Sequence, residues 1–236
     1  MATFVLLHGA FHGAWCWRDV AARLRAAGHA VTTPTQTGLG ERRHLLSGAI
    51  TLETFVEDLV QHLENEDITG AVLVGHSFGG HAITGAADRV GQRIRHLVYL
   101  DAALLENGEV PFSRMLPEFA IAREREARAL GGFAVPAPPP AMFGIPPGPA
   151  ADWVASRLCP HPLRTFMTPL VLRNKPGNGL PSTYVCCTDP VYANLATSRE
   201  RARQRPGMAW RELATGHDAM VTAPEATADL LMELAR

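Results

Sequence analysis

A serine between small residues marks the place in this chain where nucleophilic chemistry is best supported. The segment Gly75-His76-Ser77-Phe78-Gly79 follows the apolar run 71–74 and precedes a stretch with helical spacing. A strand, a sharp turn and a helix in that order would hold the Ser77 hydroxyl clear of a sheet, and only small residues fit where strand and helix pass closely. The pattern predicts a nucleophile elbow. The alternative is a glycine-rich turn that carries a surface serine.

A serine hydroxyl is a weak nucleophile at neutral pH, so it needs a base within hydrogen-bond reach. Among ten histidines, His217 is the candidate, because it follows the last predicted strand in a short loop before the final helix. The alternative is a surface histidine without a role. His76 belongs to the elbow itself, and we expect it to point away from the serine and to serve in packing.

Two aspartates could orient the imidazole of that base. Asp189 follows the predicted strand 183–188, and Asp101 follows the last residue of the predicted strand 94–100. We favour Asp189, because a fold with the chain order serine, acid, histidine usually supplies the acid after that strand. Asp101 stays open as the alternative acid. Either carboxylate could instead cap a turn.

The charge that develops on an attacked carbonyl needs two backbone N–H donors. We expect one from Phe78, directly after the serine, and the other from Ala10 in the first strand–helix loop, 8–13. That loop also resembles a phosphate-binding turn. However, it lacks the G-x-G-x-x-G spacing, and no ribose-binding acid stands out downstream, so we expect no nucleotide and no other cofactor.

The elements that must position these residues alternate between strand and helix. Strands are predicted at 4–7, 30–33, 71–75, 94–100, 183–188 and 208–213, and helices at 14–27, 52–64, 78–90, 193–205 and 224–235. Several strands are apolar throughout, which is typical of a parallel sheet covered on both faces. Ligands bind beyond the carboxyl ends of such strands, where the serine, both aspartates and the histidine all fall.

Between Asp101 and residue 183 the alternation stops for about eighty residues, and a structureless loop of that length is uncommon. We therefore expect a cap (102–181), inserted after the sixth-strand position of the fold, on a body formed by 1–101 and 182–236. Helices are expected near 113–130, 150–158 and 161–168. The residues expected to line a substrate pocket are Phe11, His12, Phe112, Phe119, Phe143 and Trp153.

Composition narrows the choice of partners. The chain has 236 residues, 47% of them hydrophobic, and a formal net charge of −1, which gives no reason to expect a nucleic acid. No apolar run approaches the ~20 residues of a membrane span, and 4–7 is too short for a signal peptide. We expect a cytoplasmic monomer or homodimer without a membrane partner. Its four cysteines lack metal-ligand spacing and should be reduced, and Cys186 and Cys187 should point to opposite faces of one strand.

Several motifs taken together resemble the plant methylesterase and hydroxynitrile lyase family and its bacterial esterase relatives, within the α/β-hydrolase superfamily. They are Phe4-Val5-Leu6-Leu7-His8-Gly9, His12-Gly13-Ala14-Trp15, Gly38-Leu39-Gly40, the elbow, and Gly216-His217-Asp218. The resemblance implies an α/β-hydrolase fold of about six mainly parallel strands. It also implies a serine–histidine pair at Ser77 and His217, and oxyanion donors at Ala10 and Phe78.

Three departures from the family pattern bear on activity. The lyases carry a lysine directly after the catalytic histidine, where this chain has Asp218, and a threonine hydroxyl in the first loop, where this chain has Gly9. Both differences argue against cyanohydrin cleavage. The family's acid lies one residue beyond Asp189, at Pro190, which keeps Asp101 open.

These residues predict a serine hydrolase that cleaves a small, partly hydrophobic carboxylic ester, or a carbamate, through an acyl-enzyme. Two alternatives remain. One is a lyase that uses the same three residues, and the other is a small-molecule binding protein on the same fold, since a fold alone does not dictate turnover.

Overall fold

The computed structural model describes residues 1–236. Its strands are β1 (Thr3–Leu7), β2 (Ala30–Thr32), β3 (Ala71–His76), β4 (Ile94–Leu100), β5 (Ala134–Val135), β6 (His161–Pro162), β7 (Ser182–Cys187) and β8 (Met208–Leu213). Six of them form one parallel sheet in the order β2-β1-β3-β4-β7-β8. The predicted sheet of about six parallel strands is confirmed.

Helices cover both faces of this sheet. They are α1 (Arg18–Ala26), α2 (Leu52–Asn65), α3 (Gly79–Val90), α4 (Pro117–Ala129), α5 (Pro149–Ala155), α6 (Leu163–Met167), α7 (Ala196–Gln204), α8 (Ala219–Thr222) and α9 (Pro224–Leu234). None of them is long and apolar enough to cross a membrane.

The sheet separates two apolar layers because neighbouring side chains of a strand point to opposite faces. Val5 and Leu7 of β1 belong to a cluster with α2 and α3, whereas Phe4 and Leu6 belong to a second cluster with α1 and α9. Cys186 and Cys187 divide between the same two clusters, as predicted, and all four cysteines are free thiols.

Helix α2 shows how the sequence builds one of these layers. Thr51 and Thr54 form a reciprocal capping box at its start, which satisfies backbone donors that the first turn leaves free. The side chains buried along one face are Leu52, Phe55, Val56, Leu59, Val60 and Leu63. This stripe at helical spacing fixes which face of α2 meets the sheet.

The segment between β4 and β7 contains α4, α5, α6 and a two-residue antiparallel pair, β5 with β6. Buried side chains of this segment, among them Val135, Phe143 and Phe166, join the same cluster as Val5 and Leu7 of the body. The segment is therefore packed onto the body through a shared core. The sequence did not indicate the β5–β6 pair, and the division into body and cap stays a prediction.

Candidate active site

Ser77 lies at the turn between β3 and α3, in the left-handed region with φ +52°. Such a backbone costs about 1–3 kcal/mol for a residue other than glycine and persists only where the surroundings enforce it. A Cβ on Gly79 would lie 2.7 Å from the carbonyl oxygen of His8, and one on Gly75 would lie 2.9 Å from that of Gly79. The predicted close approach of strand and helix therefore explains both glycines.

His217 lies between β8 and α8 and connects the serine to a buried carboxylate. Its Nδ1 is 2.6 Å from Oδ2 of Asp101, and its Nε2 is 2.8 Å from Oγ of Ser77. A carboxylate only accepts hydrogen bonds, so Nδ1 carries the proton and donates it, and Nε2 is left to accept from the serine hydroxyl. His217 and Asp101 are 1% and 0% exposed, so water does not compete for these bonds.

Asp101 directly follows β4, which lies between β3 and β7 in the sheet. Its backbone N–H donates to the carbonyl of Val185 at 2.7 Å, and its Oδ1 accepts from the N–H of Cys187 at 3.4 Å. The guanidinium of Arg199 lies 4.0 Å from the same oxygen. Both carboxylate oxygens of Asp101 thus have partners: Oδ1 contacts Cys187 and Arg199, and Oδ2 faces His217.

The prediction that Asp189 orients His217 is wrong, and the alternative, Asp101, occupies that position. Pairing with β8 continues past the end of β7, since the N–H of Asp189 donates to the carbonyl of Thr215 at 3.0 Å. This extension carries the Asp189 side chain beyond the site into solvent. From the same loop, the ring of Tyr192 stacks on the ring of His217, with 4.1 Å between their centroids.

Three buried histidines bind consecutive peptide groups of the first loop. His8 Nδ1 lies 2.8 Å from the carbonyl oxygen of Gly9, and His12 Nδ1 lies 2.7 Å from that of Ala10. The N–H of Phe11 donates to Nδ1 of His161 at 3.3 Å.

Phe11 itself has φ +68°, so this loop is held in a conformation that a bulky residue rarely adopts. Beside Ser77, the N–H groups of Ala10 and Phe78 donate no hydrogen bond within the chain. Both are therefore free to receive an oxygen of a bound molecule.

A cavity beside Ser77 is lined both by residues of the body and by residues of the 102–181 segment, and most of the segment's contribution is apolar. Of the predicted lining residues, the structure brings Phe11, His12, Phe119 and Phe143 to this cavity. The predictions for the other two are wrong. Phe112 stacks on Phe166, at 5.0 Å between centroids, and packs against the core cluster to which Phe166 belongs. Trp153 packs edge-on against Trp15, between the guanidinium groups of Arg18 and Arg157.

Sequence reasoning missed several polar residues of the same cavity, in particular Tyr192, Asn194 and His81. Burial lowers the pKa of His81 to about 3, so its ring is neutral, and its Nδ1 has no partner in the chain. The Oδ1 of Asn194 also has none. No spacing rule marks Tyr192 and Asn194, because the loop that follows β7 has no periodicity; only its position after a strand end of the parallel sheet could have drawn attention to it. His81 lies in α3, four residues after Ser77.

Asp218, the residue that replaces the lyases' lysine, is fully buried against two histidines. Its Oδ2 lies 3.0 Å from His12 Nε2, and its Oδ1 lies 3.7 Å from His76 Nε2. His76 donates from Nε2 to the carbonyl of His217 at 2.9 Å, and burial lowers its pKa to about 3. His76 is thus a neutral buried residue that fixes the backbone of His217.

Potential metal-ligand atoms of His76, His217 and Asp218 lie within 4.8 Å of one another. However, both ring nitrogens of His217 are hydrogen-bonded, one to Ser77 and the other to Asp101. These hydrogen bonds account for the closeness of the three side chains. The prediction of no metal stays a prediction.

A parallel sheet with a serine at the elbow after its third strand, and with a buried aspartate and histidine after later strands at the same edge, defines the class of α/β hydrolases. The model of the alpha/beta hydrolase family matches residues 4–230. The chain belongs to that family.

Individual relatives agree with this assignment. The chain is 40% identical to a carbendazim hydrolyzing esterase of a Nocardioides species, over 99% of this chain and 100% of that protein. It is 28% identical to Methylesterase 10 of Arabidopsis thaliana, over 98% and 91%. The solved structure of an extracellular α/β-hydrolase from a Paenibacillus species superposes with a TM-score of 0.87 at 24% identity, covering 100% and 99% of the two chains. The resemblance to the methylesterases and their bacterial relatives is confirmed.

Proposed function

We propose that this protein is a serine hydrolase that cleaves small, partly hydrophobic carboxylic esters, carbamates included, through an acyl-enzyme. The class, carboxylic ester hydrolase, follows from the family and from the esterases among its full-length relatives. The single observation that carries the mechanism is the continuous chain of hydrogen bonds from Ser77 through His217 to Asp101, at 2.8 Å and 2.6 Å.

Each residue of that chain has a defined step. The Ser77 oxygen attacks the ester carbonyl while His217 Nε2 takes the hydroxyl proton, and Asp101 stabilises the imidazolium that forms. The negative oxygen receives hydrogen bonds from the N–H groups of Ala10 and Phe78. Collapse of the intermediate transfers the proton from His217 to the leaving alkoxide. Water then gives a proton to the same nitrogen and attacks the acyl-enzyme, and His217 returns that proton to the Ser77 oxygen as the acid is released.

The cavity supports an uncharged, partly hydrophobic substrate. Its exposed wall is mostly apolar, and the two arginines that line it, Arg114 and Arg123, are paired with Glu109 and Glu126. The unpartnered Nε of Arg114, Nδ1 of His81 and Oδ1 of Asn194 offer hydrogen bonds at a few points, as in most small-molecule sites. The Nocardioides relative is named for the hydrolysis of carbendazim. We therefore extend the proposal to carbendazim as a substrate of this protein.

A lyase reaction is disfavoured at two positions. A Cβ on Gly9 would lie 2.8 Å from the Cβ of Ser77 and 3.0 Å from Nδ1 of His76, so this backbone has no room for the lyases' threonine. Asp218 places a carboxylate, engaged with His12, where the lyases have an ammonium group.

The cytoplasmic location also remains part of the proposal. It is supported by the four free thiols, which are all buried.

A fluorophosphonate probe tests the proposal. We expect one covalent adduct per chain on Ser77, found by mass spectrometry of the digested protein, and no adduct in Ser77→Ala. Ser113→Ala, which changes an exposed serine, is the matched control and should label like the wild type. Binding of ester ligands without any labelling of Ser77 would contradict the proposal and favour a binding protein on the hydrolase fold.

A further inference from the structure

His12 is a buried imidazole whose two nitrogens both face hydrogen-bond acceptors. Nδ1 lies 2.7 Å from the carbonyl oxygen of Ala10, and Nε2 lies 3.0 Å from the carboxylate of Asp218. The side chains of His12 and Asp218 are 1% and 0% exposed. Water therefore does not serve as the partner of either nitrogen.

These partners determine where the protons are. A carbonyl oxygen cannot donate, so Nδ1 must carry a proton, and an ionised carboxylate requires a second proton on Nε2. Burial by itself would lower the pKa of His12, but the charge and hydrogen bond of Asp218 outweigh it and raise this pKa. Burial would raise the pKa of Asp218, yet His12 lowers it. The pair is thus an imidazolium and a carboxylate.

Two other histidines at the same loop show that this state is specific to His12. His8 donates from Nδ1 to the carbonyl of Gly9, but its Nε2 accepts the N–H of Gln36 at 3.2 Å. His161 accepts the N–H of Phe11 at Nδ1 and donates from Nε2 to Thr165. Each has one acceptor and one donor as partners, so each is neutral, and burial lowers the pKa of His8 to about 3.

The carbonyl that the His12 cation binds belongs to Ala10, the same residue whose N–H is the first-loop donor. This hydrogen bond spans Phe11, whose backbone lies in the left-handed region with φ +68°, and so holds the turn that directly follows the donor. A charged donor strengthens such a bond roughly twofold over a neutral one. We propose that His12 and Asp218 form a fixed imidazolium–carboxylate pair that positions the Ala10 oxyanion donor, and that both are positioning residues of the hydrolase.

This inference rests on the proposed function of Ser77. Besides Asp218, the titratable groups near His12 are the neutral rings of His8, His76 and His161. Those near Asp218 are His76, His217, Tyr192 and the thiols of Cys16 and Cys187. The rings of Trp15 and Phe143 cover His12 on its remaining sides. Asp218 is therefore the carboxylate that balances the His12 charge.

Asp218→Asn removes the charge and can keep the shape. The asparagine amide can donate to a neutral His12 at Nε2, while Nδ1–H still donates to Ala10. We expect kcat for a p-nitrophenyl ester to fall about tenfold to a hundredfold, and KM to change less than twofold. This fall is no larger than the fall in kcat that removal of one oxyanion donor causes in other hydrolases. The double variant with His12→Gln should lose little more than the larger single effect, because both residues act as one unit.

Asp88→Asn is the matched control. Asp88 is another buried carboxylate, which accepts the N–H groups of Arg173 and Asn174 and does not line the cavity. Its replacement should lower the free energy of unfolding and leave kcat unchanged. An equal fall of kcat in both variants would mean that Asp218 is merely structural and would overturn the proposal.

The protonation state is measured independently of turnover by nitrogen-15 NMR of the wild type, with His12 assigned through His12→Gln. Two protonated ring nitrogens at pH 7.5 are expected at His12 and one at His8. A neutral His12 would overturn the proposal even if Ser77 reacts with the fluorophosphonate. If Ser77 does not react with the fluorophosphonate while His12 is cationic, the proposed function is contradicted, whereas the ion pair of His12 and Asp218 is confirmed.

Discussion

The carboxylate of Asp101 determines which tautomer of His217 faces Ser77. Its Oδ2, 2.6 Å from Nδ1, accepts a hydrogen bond from the N–H there and leaves Nε2 free to act as the base. Asp189 has no such contact, because its side chain lies in solvent. The sequence left these two residues as alternatives, since both follow strands whose carboxyl ends lie at the same edge of the sheet. Only the continued pairing of β7 with β8 distinguishes them, and no local motif reveals it.

Asp101→Asn therefore separates the two assignments. Its amide can donate to Nδ1 and favour the wrong tautomer, so we expect kcat for a p-nitrophenyl ester to fall about 10³–10⁴-fold with folding preserved. Asp189→Asn is the matched control and should stay within twofold of the wild type. Both variants are measured on the same substrate by steady-state kinetics. A larger fall of kcat in Asp189→Asn than in Asp101→Asn would show that Asp189, and not Asp101, orients His217.

At the scale of elements, the elbow depends on how closely α3 passes the first loop. Gly79 begins α3, and its α-carbon faces the carbonyl oxygens of Leu7 and His8. The sequence predicted this contact from the Gly-His-Ser-Phe-Gly spacing, and it predicted the strands and long helices from their apolar periods. It could not predict which cap residues reach the cavity, since Phe112 and Trp153 differ from Phe119 and Phe143 only in tertiary packing.

Gly79→Ala tests that contact. Its Cβ would lie 2.7 Å from one backbone oxygen and 3.2 Å from the other, so strand and helix must move apart. We expect a loss of about 1–3 kcal/mol in the free energy of unfolding, together with slower labelling of Ser77.

Gly48→Ala is the comparison for that variant. Its Cβ would meet only the Phe133 side chain, at an ordinary 3.5 Å, so its stability should be nearly unchanged. Equal urea midpoints for the two variants would show that the tight contact at Gly79 is not present in solution.

At the scale of the whole molecule, the site is assembled around buried histidines that stay neutral. Burial lowers the pKa values of His8, His76 and His81 to about 3, and that of His161 well below its usual value. The unfolded chain takes up protons at these residues below about pH 6.5 while the folded protein does not. Their contribution to stability is therefore present above that pH and is lost as the pH falls toward 3.

We accordingly expect the free energy of unfolding to decrease steeply between pH 6.5 and pH 4.5. Each histidine contributes up to about 1.4 kcal/mol per pH unit in that window. Urea titrations at several pH values check this, and His44→Gln, which removes an exposed histidine, should leave the slope unchanged. A constant urea midpoint across the window would mean that the buried histidines are not neutral.

The most direct test of the central claim is a rapid-quench experiment with p-nitrophenyl acetate. An acyl-enzyme at Ser77 predicts that the protein gains one acetyl group during turnover, that the group maps to Ser77, and that it disappears when the ester is exhausted. Ser77→Ala should neither gain the group nor release p-nitrophenol above the background rate. Undiminished turnover in Ser77→Ala, or turnover in the wild type with acetyl transfer to another residue, would contradict the account.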